Sequence, residues 1–390
     1  MNALVTPAEA LARIFGSLPE TGTETVQLSA AIGRVLREPI HADRPLPPYD
    51  RATMDGIAFH STSKPPLVLA GLHAAGDPPP RPLAPGEAWE IMTGATLPGD
   101  CDTVVPYEEV TISNGSATFY GEIEPGNFIH FAGGDAMVGT RLVDTGTLLG
   151  PVEIAIAASV GCSRLVVSKR PVITLITTGD EAVPIEATPE PWQIRQSNGP
   201  MLAALLQASG FPDVHLIHVV DDTGLLFQHV ATALAKSDLL ILCGGISMGK
   251  RDHVRGVLES LLGPPTFHGV AQRPGKPLAF WQGPPPVFAL PGNPLSVLAT
   301  FSHYVRPALA AMQGTAPPPP TRLLLDAPLD PAPRMTWLLT ARLNPDGTVH
   351  PIPPLNSGAF VSVTTATHLL EIPPGDATLP AGSPVTAHLL

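Results

Sequence analysis

Turns able to bind an anion follow several strand-like segments in the middle of the chain. Apolar runs end in polar or glycine-rich turns at 177–181 (TTGDE), 221–222 (DD), 244–252 (GGISMGKRD) and 290–294 (LPGNP). Glycines let main-chain N–H groups approach an anion closely, and neighbouring basic side chains add positive charge. The loop 273–277 (RPGKP) adds an arginine and a lysine in a chain that has only five lysines. These residue types indicate phosphate binding.

One of these turns also opens a helix. Asn293 is a plausible N-cap and Pro294 suits the first helical position, and the unpaired N–H groups of a helix N-terminus favour negative charge. The residues expected to bind a phosphate-bearing ligand are Gly244, Gly245, Ser247, Gly249, Arg273, Gly275, Pro291, Gly292, Asn293 and Pro294.

Carboxylates occur in the same turns. Glu181, Asp221 and Asp252 would repel a bare phosphate unless a divalent cation lies between them, and hard oxygen ligands of this kind suit Mg²⁺. The three cysteines have no CxxC spacing, which argues against a thiolate zinc site or a disulfide framework. The pattern predicts a phosphate ester bound together with Mg²⁺, with Glu181, Asp221 and Asp252 as metal ligands.

The alternation of strand-like and helix-like segments over 171–313 would position these turns. The strands are apolar on both faces, which predicts a doubly wound parallel sheet covered by helices. Ligands of such sheets bind beyond the carboxyl ends of the strands, so the turns should meet at one rim. The loop 273–277 leads into a strand, yet we expect it at or close to the same rim.

The segments on either side of 171–313 have different patterns of secondary structure. Residues 6–16 carry a capping-box helix start, and 148–161 has a second helical pattern that we expect to pack against the first. Short strands fill 41–136, and a small β domain follows the prolines at 317–320. The predicted fold class is therefore α/β and β multidomain, with a helical/linker domain (1–40 plus 137–168), a β-rich domain (41–136), the central α/β domain (169–315) and a C-terminal β-barrel-like domain (316–390).

The composition of the chain argues against nucleic acid and membranes as partners. The chain has 390 residues, 44% of them hydrophobic and 14% charged, with a formal net charge of −12. An acidic chain without a basic stripe is not expected to bind nucleic acid. Apolar runs stay well below the roughly 18 residues of a membrane span, and the first residues do not resemble a signal peptide. We therefore expect a cytoplasmic protein without membrane contact.

Each motif has a simpler interpretation when taken alone. GGxSxG is commonly a tight turn, TGDE a helix cap and LPGNP a proline-stiffened turn. GISMG (245–249) also matches the GxSxG of serine hydrolases, but basic residues follow it where a nucleophile elbow has an apolar helix start. The occurrence of all the motifs at one predicted rim favours a binding site.

Eight segments, in order and spacing, resemble the molybdopterin molybdenumtransferase family of the bacterial MoeA and gephyrin E-domain type. Two lie in the β-rich part, LPPYDRATMDGIA (46–58) and IMTGATLPGDCDTVVPYEEV (91–110). The other six are TTGDE (177–181), SNGPML (197–202), VVDD (219–222), GGISMGKRD (244–252), RPGKPLAF (273–280) and LPGNPLSVL (290–298). The resemblance covers roughly residues 1–315 and, more weakly, the remainder.

This resemblance implies a central domain of the molybdopterin-binding type and a transferase that completes the molybdenum cofactor. The substrates would be adenylylated molybdopterin and molybdate, with cleavage of the adenylate requiring Mg²⁺. It also implies an elongated homodimer whose pocket lies between the α/β domain of one subunit and the β-rich domain of the other. Molybdopterin adenylyltransferase and apo-molybdoenzymes are the implied further partners.

The resemblance also implies roles for individual residues. The positions matching the family's active-site residues are Asp55, Thr93, Asp135, Glu181, Asp221, Asp252 and Lys276, while Gly245 and Ser247 match its pterin-phosphate loop. Two simpler roles stay open, since Asp55 could cap a turn and Asp221 could cap the helix that follows it.

The sequence departs from the family pattern at a few positions. His130 stands where arginine is usual, Gly134 where glutamate is usual, and Gln196 where aspartate is usual, while Arg51 replaces a small polar residue. A non-catalytic relative that binds or chaperones molybdopterin or the finished cofactor, or scaffolds a partner, is therefore an alternative. A phosphosugar or nucleotide enzyme that shares only the doubly wound fold is a third.

Overall fold

The structure is a computed structural model, and it describes residues 4–246, 253–317, 319–354, 356 and 358–390. The α-helices are α1 (Pro7–Phe15), α2 (Pro151–Ser159), α3 (Asn198–Ala208), α4 (Thr223–Lys236), α5 (His253–Leu262), α6 (Pro294–Thr300) and α7 (Arg306–Met312). A π-helical turn, Phe301–Val305, joins α6 to α7. None of the helices in these ranges combines the length and apolarity needed to cross a membrane.

The strands are short, in keeping with the many prolines and glycines. In chain order they are β1 (Thr23–Gln27), β2 (Ile40–His41), β3 (Arg51–Ala52), β4 (Gly56–Phe59), β5 (Leu67–His73), β6 (Glu87–Ile91), β7 (Thr103–Pro106), β8 (Val110–Ser113), β9 (Ser116–Phe119), β10 (Ile129–His130), β11 (Arg141–Val143), β12 (Arg164–Ser168), β13 (Ile173–Thr178), β14 (Ala182–Val183), β15 (Ile194–Arg195), β16 (Val214–Val219), β17 (Leu239–Cys243), β18 (Phe267–His268), β19 (Gln272–Arg273), β20 (Ala279–Trp281), β21 (Val287–Leu290), β22 (Thr321–Leu324), β23 (Thr336–Leu343), β24 (Val349–Pro351), β25 (His368–Ile372) and β26 (Pro384–Leu389).

The central sheet has the order β16-β13-β17-β21-β20-β18. Its first four strands are parallel, but β20 runs antiparallel to β21, and β18 runs antiparallel to β20. Alternate residues of β17 belong to different apolar clusters, Ile241 to one and Leu242 to the other, so both faces are covered. The predicted doubly wound sheet is thus present, but it is mixed instead of wholly parallel.

The first helix packs on this central core. Thr6 and Glu9 form the predicted capping box, and Ala10 and Ile14 of α1 are buried in the same cluster as Val305. Helix α2 belongs to a separate cluster and buries Ala157 there. The expectation that the 148–161 helix packs against α1 is therefore wrong, because the apolar stripe of α1 faces the central core.

Two further large sheets flank the central one. Six of the short strands expected in 41–136 form one of them, with the order β7-β4-β6-β5-β9-β8. At the C-terminus the order is β19-β23-β25-β26-β22, with β24 on β23. Strand β19 comes from the 273–277 loop region and pairs in parallel with β23, so the C-terminal sheet begins beside the predicted binding rim.

A buried hydrogen-bond chain anchors that loop. Tyr304 in the π-helical turn donates its hydroxyl to Gln272 Oε1, and Gln272 Nε2 donates to Pro274 O at 3.2 Å. Gln272 and Tyr304 are both fully buried. The start of the RPGKP loop is therefore fixed to the helix that follows β21.

Tyr304→Phe tests this anchor. The substitution keeps the ring and leaves Gln272 Oε1 buried without its donor, so the free energy of unfolding should fall by about 1–3 kcal/mol. Chemical denaturation measures the loss. Tyr120→Phe is the control, because Tyr120 is 88% exposed and its hydroxyl can be replaced by water. Equal stability of the two variants would contradict the anchor.

Candidate functional site

A cavity of about 920 Å³ opens at the rim of the central sheet. The turns after β13, β17 and β21 contribute to its wall, together with the loop before β20. Its lining includes Glu181, Gly245, Arg273, Gly275, Lys276, Pro291, Gly292, Asn293 and Pro294. The expected gathering of Gly245, Lys276 and Asn293 at one lip is confirmed. A second cavity of about 260 Å³ adjoins it and shares Glu181 and Gly245.

The turn after β17 needs its two glycines. Gly244 and Gly245 have φ angles of +100° and +61°, a region that side chains disfavour. A Cβ on Gly244 would lie 2.8 Å from Thr178 O, and one on Gly245 would lie 2.9 Å from Val254 Cγ2. The main chain therefore passes close to the end of β13, with Gly245 at the cavity. Ser247, Gly249 and Asp252 of the predicted site lie outside the described residues.

The RPGKP loop is closely packed and carries the cations. Gly275 has φ +90°, and a Cβ there would lie 2.5 Å from Thr300 Cγ2. Arg273 stacks on the indole of Trp337 from the C-terminal sheet, with 4.0 Å between the guanidinium carbon and the ring centroid. Lys276 is exposed and lines the larger cavity.

A second interaction joins separate parts of the wall. Asn198, at the start of α3, donates its Nδ2 to Gly292 O at 2.6 Å, which ties the SNGP segment to the turn before α6. Gln196, at a departure from the family pattern, donates to Thr177 Oγ1. The side-chain amide of Gln196 thereby joins β13 to the segment leading into α3.

The lining includes residues that the sequence did not single out. Arg195 lines both cavities and adds a cation beside the Gln196-Ser197 segment. Met335 and Phe360 line the larger cavity from the C-terminal region. The one signal for Arg195 was its position next to SNGPML, and no sequence pattern marked Met335 or Phe360.

Carboxylates crowd the other side of the rim. Asp180 Oδ1 accepts a hydrogen bond from Asp221 N at 2.9 Å, and Glu181 lines both cavities. Burial, followed by the charges of Asp180 and Glu181, raises the pKa of Asp221 above its usual value. A divalent cation would relieve this repulsion, and the oxygen donors fit Mg²⁺.

The neighbouring Asp222 performs the capping role that Asp221 could have had. Asp222 Oδ1 accepts from Leu225 N at 2.7 Å and caps α4. The interpretation of Asp221 as the cap is therefore wrong. Asp221 instead lines the smaller cavity.

The predicted residues of the β-rich region form two polar clusters. Asp55 Oδ1 accepts from both the main-chain N–H (2.7 Å) and the hydroxyl (2.6 Å) of Thr93, and these bonds lower the pKa of Asp55. His130 lies between Arg51 Nη2 (3.2 Å from Nδ1) and Asp135 Oδ1 (3.0 Å from Nε2). With arginine as donor, His130 accepts at Nδ1 and donates from Nε2 to Asp135.

These two clusters do not line the rim cavities. Among the described lining residues of both cavities, none belongs to 41–136. Within one chain, the structure brings Glu181, Asp221, Lys276 and the glycine turns together, but not Asp55, Thr93 or Asp135.

Two family models match the chain. Residues 5–161 match the family model described as the MoeA N-terminal region (domain I and II). Residues 174–311 match the family model described as a probable molybdopterin binding domain. The two matches cover the β-rich region and the central sheet.

Similar proteins extend over nearly the whole chain. Relatives named molybdopterin molybdenumtransferase are 33% identical in Synechocystis sp. (97% of this chain, 98% of the relative) and 34% identical in Synechococcus elongatus (94% of each). A solved structure, the molybdopterin biosynthesis moeA protein of Pyrococcus horikoshii OT3, matches with TM-score 0.86 and 25% identity over 100% of both chains. The chain belongs to the molybdopterin molybdenumtransferase family.

Asp221→Asn tests the acidic cluster. Because the pKa of Asp221 is raised, its ionisation costs stability at pH 7, and the amide should increase the free energy of unfolding by up to about 1 kcal/mol. The gain should disappear below about pH 4, where the carboxyl is protonated in both the folded and the unfolded state. Asp222→Asn is the control, since asparagine also caps a helix. A gain that persists at pH 3 would contradict the interpretation.

Proposed function

We propose that this protein is a molybdopterin molybdenumtransferase that inserts molybdate into adenylylated molybdopterin and cleaves the adenylate with Mg²⁺. The observation that carries the proposal is the gathering of Gly245, Lys276 and the Asn293 turn around one cavity. The names of the relatives, which match over most of the chain, support the same reaction.

The rim residues divide the work of binding. Lys276 and Arg273 supply positive charge to the phosphates, and the main-chain N–H groups at Gly245 and before α6 would donate to phosphate oxygens. The proposed ligand-binding set remains Gly244, Gly245, Ser247, Gly249, Arg273, Gly275, Pro291, Gly292, Asn293 and Pro294. Lys276 would stabilise the negative charge that develops when the adenylate is cleaved.

The acidic residues suit a magnesium ion. Glu181 and Asp221 would hold Mg²⁺ together with Asp252, which lies outside the described residues. When bound, Mg²⁺ would neutralise phosphate charge and orient the phosphate for cleavage. The raised pKa of Asp221 supports this role, because it reflects the like charges of Asp180 and Glu181 in addition to burial.

The replacement of the usual arginine by His130 does not favour the non-catalytic alternative. Although His130 replaces the usual arginine, Arg51 lies across the β3–β10 pair and brings a guanidinium to the same cluster. One substitution therefore compensates for the other in charge. We propose that Asp55, Thr93 and Asp135 act in molybdate insertion, with His130 orienting Asp135.

We further propose that the protein works as a cytoplasmic homodimer. The β-rich clusters lie away from the cavities of their own chain, which supports a pocket completed by a second subunit. The four predicted domains (1–40 with 137–168, 41–136, 169–315 and the barrel-like 316–390) remain our proposed layout, except that α1 packs on the central domain. Molybdopterin adenylyltransferase would supply the substrate, and apo-molybdoenzymes would receive the product.

Lys276→Ala tests the reaction. Purified protein supplied with adenylylated molybdopterin, Mg²⁺ and molybdate should activate an apo-molybdoenzyme, and the variant should lose at least about 100-fold of that rate, as loss of one preorganised charge-stabilising donor typically does. Lys236→Ala, in the exposed last turn of α4, is the matched control and should keep full activity. An inactive wild-type protein, or an active Lys276→Ala variant, would overturn the proposal.

Mixing two inactive variants tests the shared pocket. Asp55→Ala and Lys276→Ala each damage both sites of a homodimer, but a mixed dimer would keep one intact site. Random subunit exchange makes half of the dimers mixed, so about a quarter of wild-type activity should return. Mixed dimers that form and stay inactive, or a monomer in solution, would contradict the shared pocket.

A further inference from the structure

A buried histidine lies between the central helices and the C-terminal sheet. His303 occupies the π-helical turn between α6 and α7 and is 2% exposed. Within the part of the chain that the structure describes, neither of its ring nitrogens has a hydrogen-bond partner. Buried polar groups are nearly always paired, and π-helical turns are frequent at functional sites. The position of His303 therefore requires an explanation.

The adjoining face of the C-terminal sheet presents two complementary side chains. Leu369 of β25 is opposite His388 of β26, so Glu371, two residues along β25, lies diagonally across from His388 on the same face. His388 Nε2 is 3.3 Å from Glu371 Oε2, and the rings of His303 and His388 are 5.0 Å apart between centroids. One potential ligand atom from each of the three residues lies within 4.8 Å of the others.

The three side chains offer donor types that zinc binds. His303 and His388 each present an imidazole nitrogen to the cluster, and Glu371 presents a carboxylate oxygen. Two imidazoles and one carboxylate are a donor set of zinc sites that keep one position open.

The geometry requires little adjustment. Zinc–ligand bonds of about 2.0–2.1 Å place tetrahedral ligand atoms about 3.4 Å apart, so the three atoms would have to close by at most about 1.4 Å. Rotations of the side chains would have to supply this closure. Imidazole nitrogens also favour zinc over magnesium, which prefers oxygen.

A plain ion pair is the competing explanation. A His388–Glu371 pair satisfies those two side chains, but both nitrogens of His303 still lack a partner among the described residues. A metal ion would use one of them. The α6–α7 region and the C-terminal sheet are already in contact around this site. Ala299 of α6 packs with Leu369, and Arg306 Nη1 donates to Leu389 O at 2.7 Å.

We propose that His303, Glu371 and His388 bind a divalent transition-metal ion of the zinc class that fastens the C-terminal sheet to the α6–α7 helix. Since β19 of that sheet carries Arg273, the ion would also stabilise one wall of the rim cavity. This site is separate from the proposed magnesium site and does not depend on the proposed reaction.

Calorimetric titration of the full-length protein tests the site. After chelator treatment, Zn²⁺ is added in the presence of excess Mg²⁺, which occupies oxygen-ligand sites. We expect one equivalent to bind, and His303→Ala and Glu371→Gln each to weaken that binding by at least about 100-fold, more than loss of an outer-shell partner typically costs. His350→Ala is the matched control. His350, on β24, pairs with Asp326 at 2.9 Å, and no other described His, Cys, Asp or Glu joins this pair to make a three-ligand group.

Thermal unfolding gives an independent readout. Zn²⁺ should raise the Tm of the wild-type protein and of His350→Ala, but not that of Glu371→Gln. Glu371→Gln decides the question if His303→Ala fails to fold, because the amide is nearly the same size and Glu371 itself is only partly buried. Absence of a bound equivalent, or undiminished binding by Glu371→Gln, overturns the proposal.

Discussion

The reversal of strand direction at β20 is the constraint on which the candidate site depends. In a wholly parallel sheet, a loop that precedes a strand lies at the opposite edge from the loops that follow strands. Because β20 runs antiparallel to β21, the RPGKP loop before it lies at the edge where β13, β17 and β21 end. Lys276 consequently lies with the glycine turn at Gly245 and the helix start at Asn293 around one cavity. The proposed contacts of Arg273 and Lys276 with the phosphates follow from this placement.

Close packing then fixes the turns. A side chain at Gly244, Gly245 or Gly275 would collide with neighbouring atoms, so the main chain itself forms part of the wall. Gln272 links the loop to Tyr304, and its strand β19 pairs with β23 of the C-terminal sheet. The C-terminal sheet thus supports the binding rim. Arg273 of the rim also stacks on Trp337 of this sheet.

The sequence was informative where local patterns decide the structure. Apolar strands such as β13 and β17, the Thr6–Glu9 capping box and the Pro294 helix start follow from periodicity and capping chemistry. Strand direction does not follow, because three apolar residues such as Ala279–Trp281 look the same in either direction. Packing partners are also non-local, which is why the α1–α2 contact was wrong and the β19–β23 pairing was not foreseen. The acidic site could be predicted only in part. Asp221 and Asp222 are adjacent in the sequence, and the directions of their side chains decide that Asp222 caps a helix while Asp221 lines a cavity.

Hydrogen–deuterium exchange of the full-length protein with adenylylated molybdopterin tests the gathered rim most directly. The account predicts slower exchange of main-chain amides at 244–246, 275–276 and 292–297 on binding, since these N–H groups would face the phosphates or pack beside them. Protection confined to other faces of the central sheet, with no change in these three turns, would contradict it.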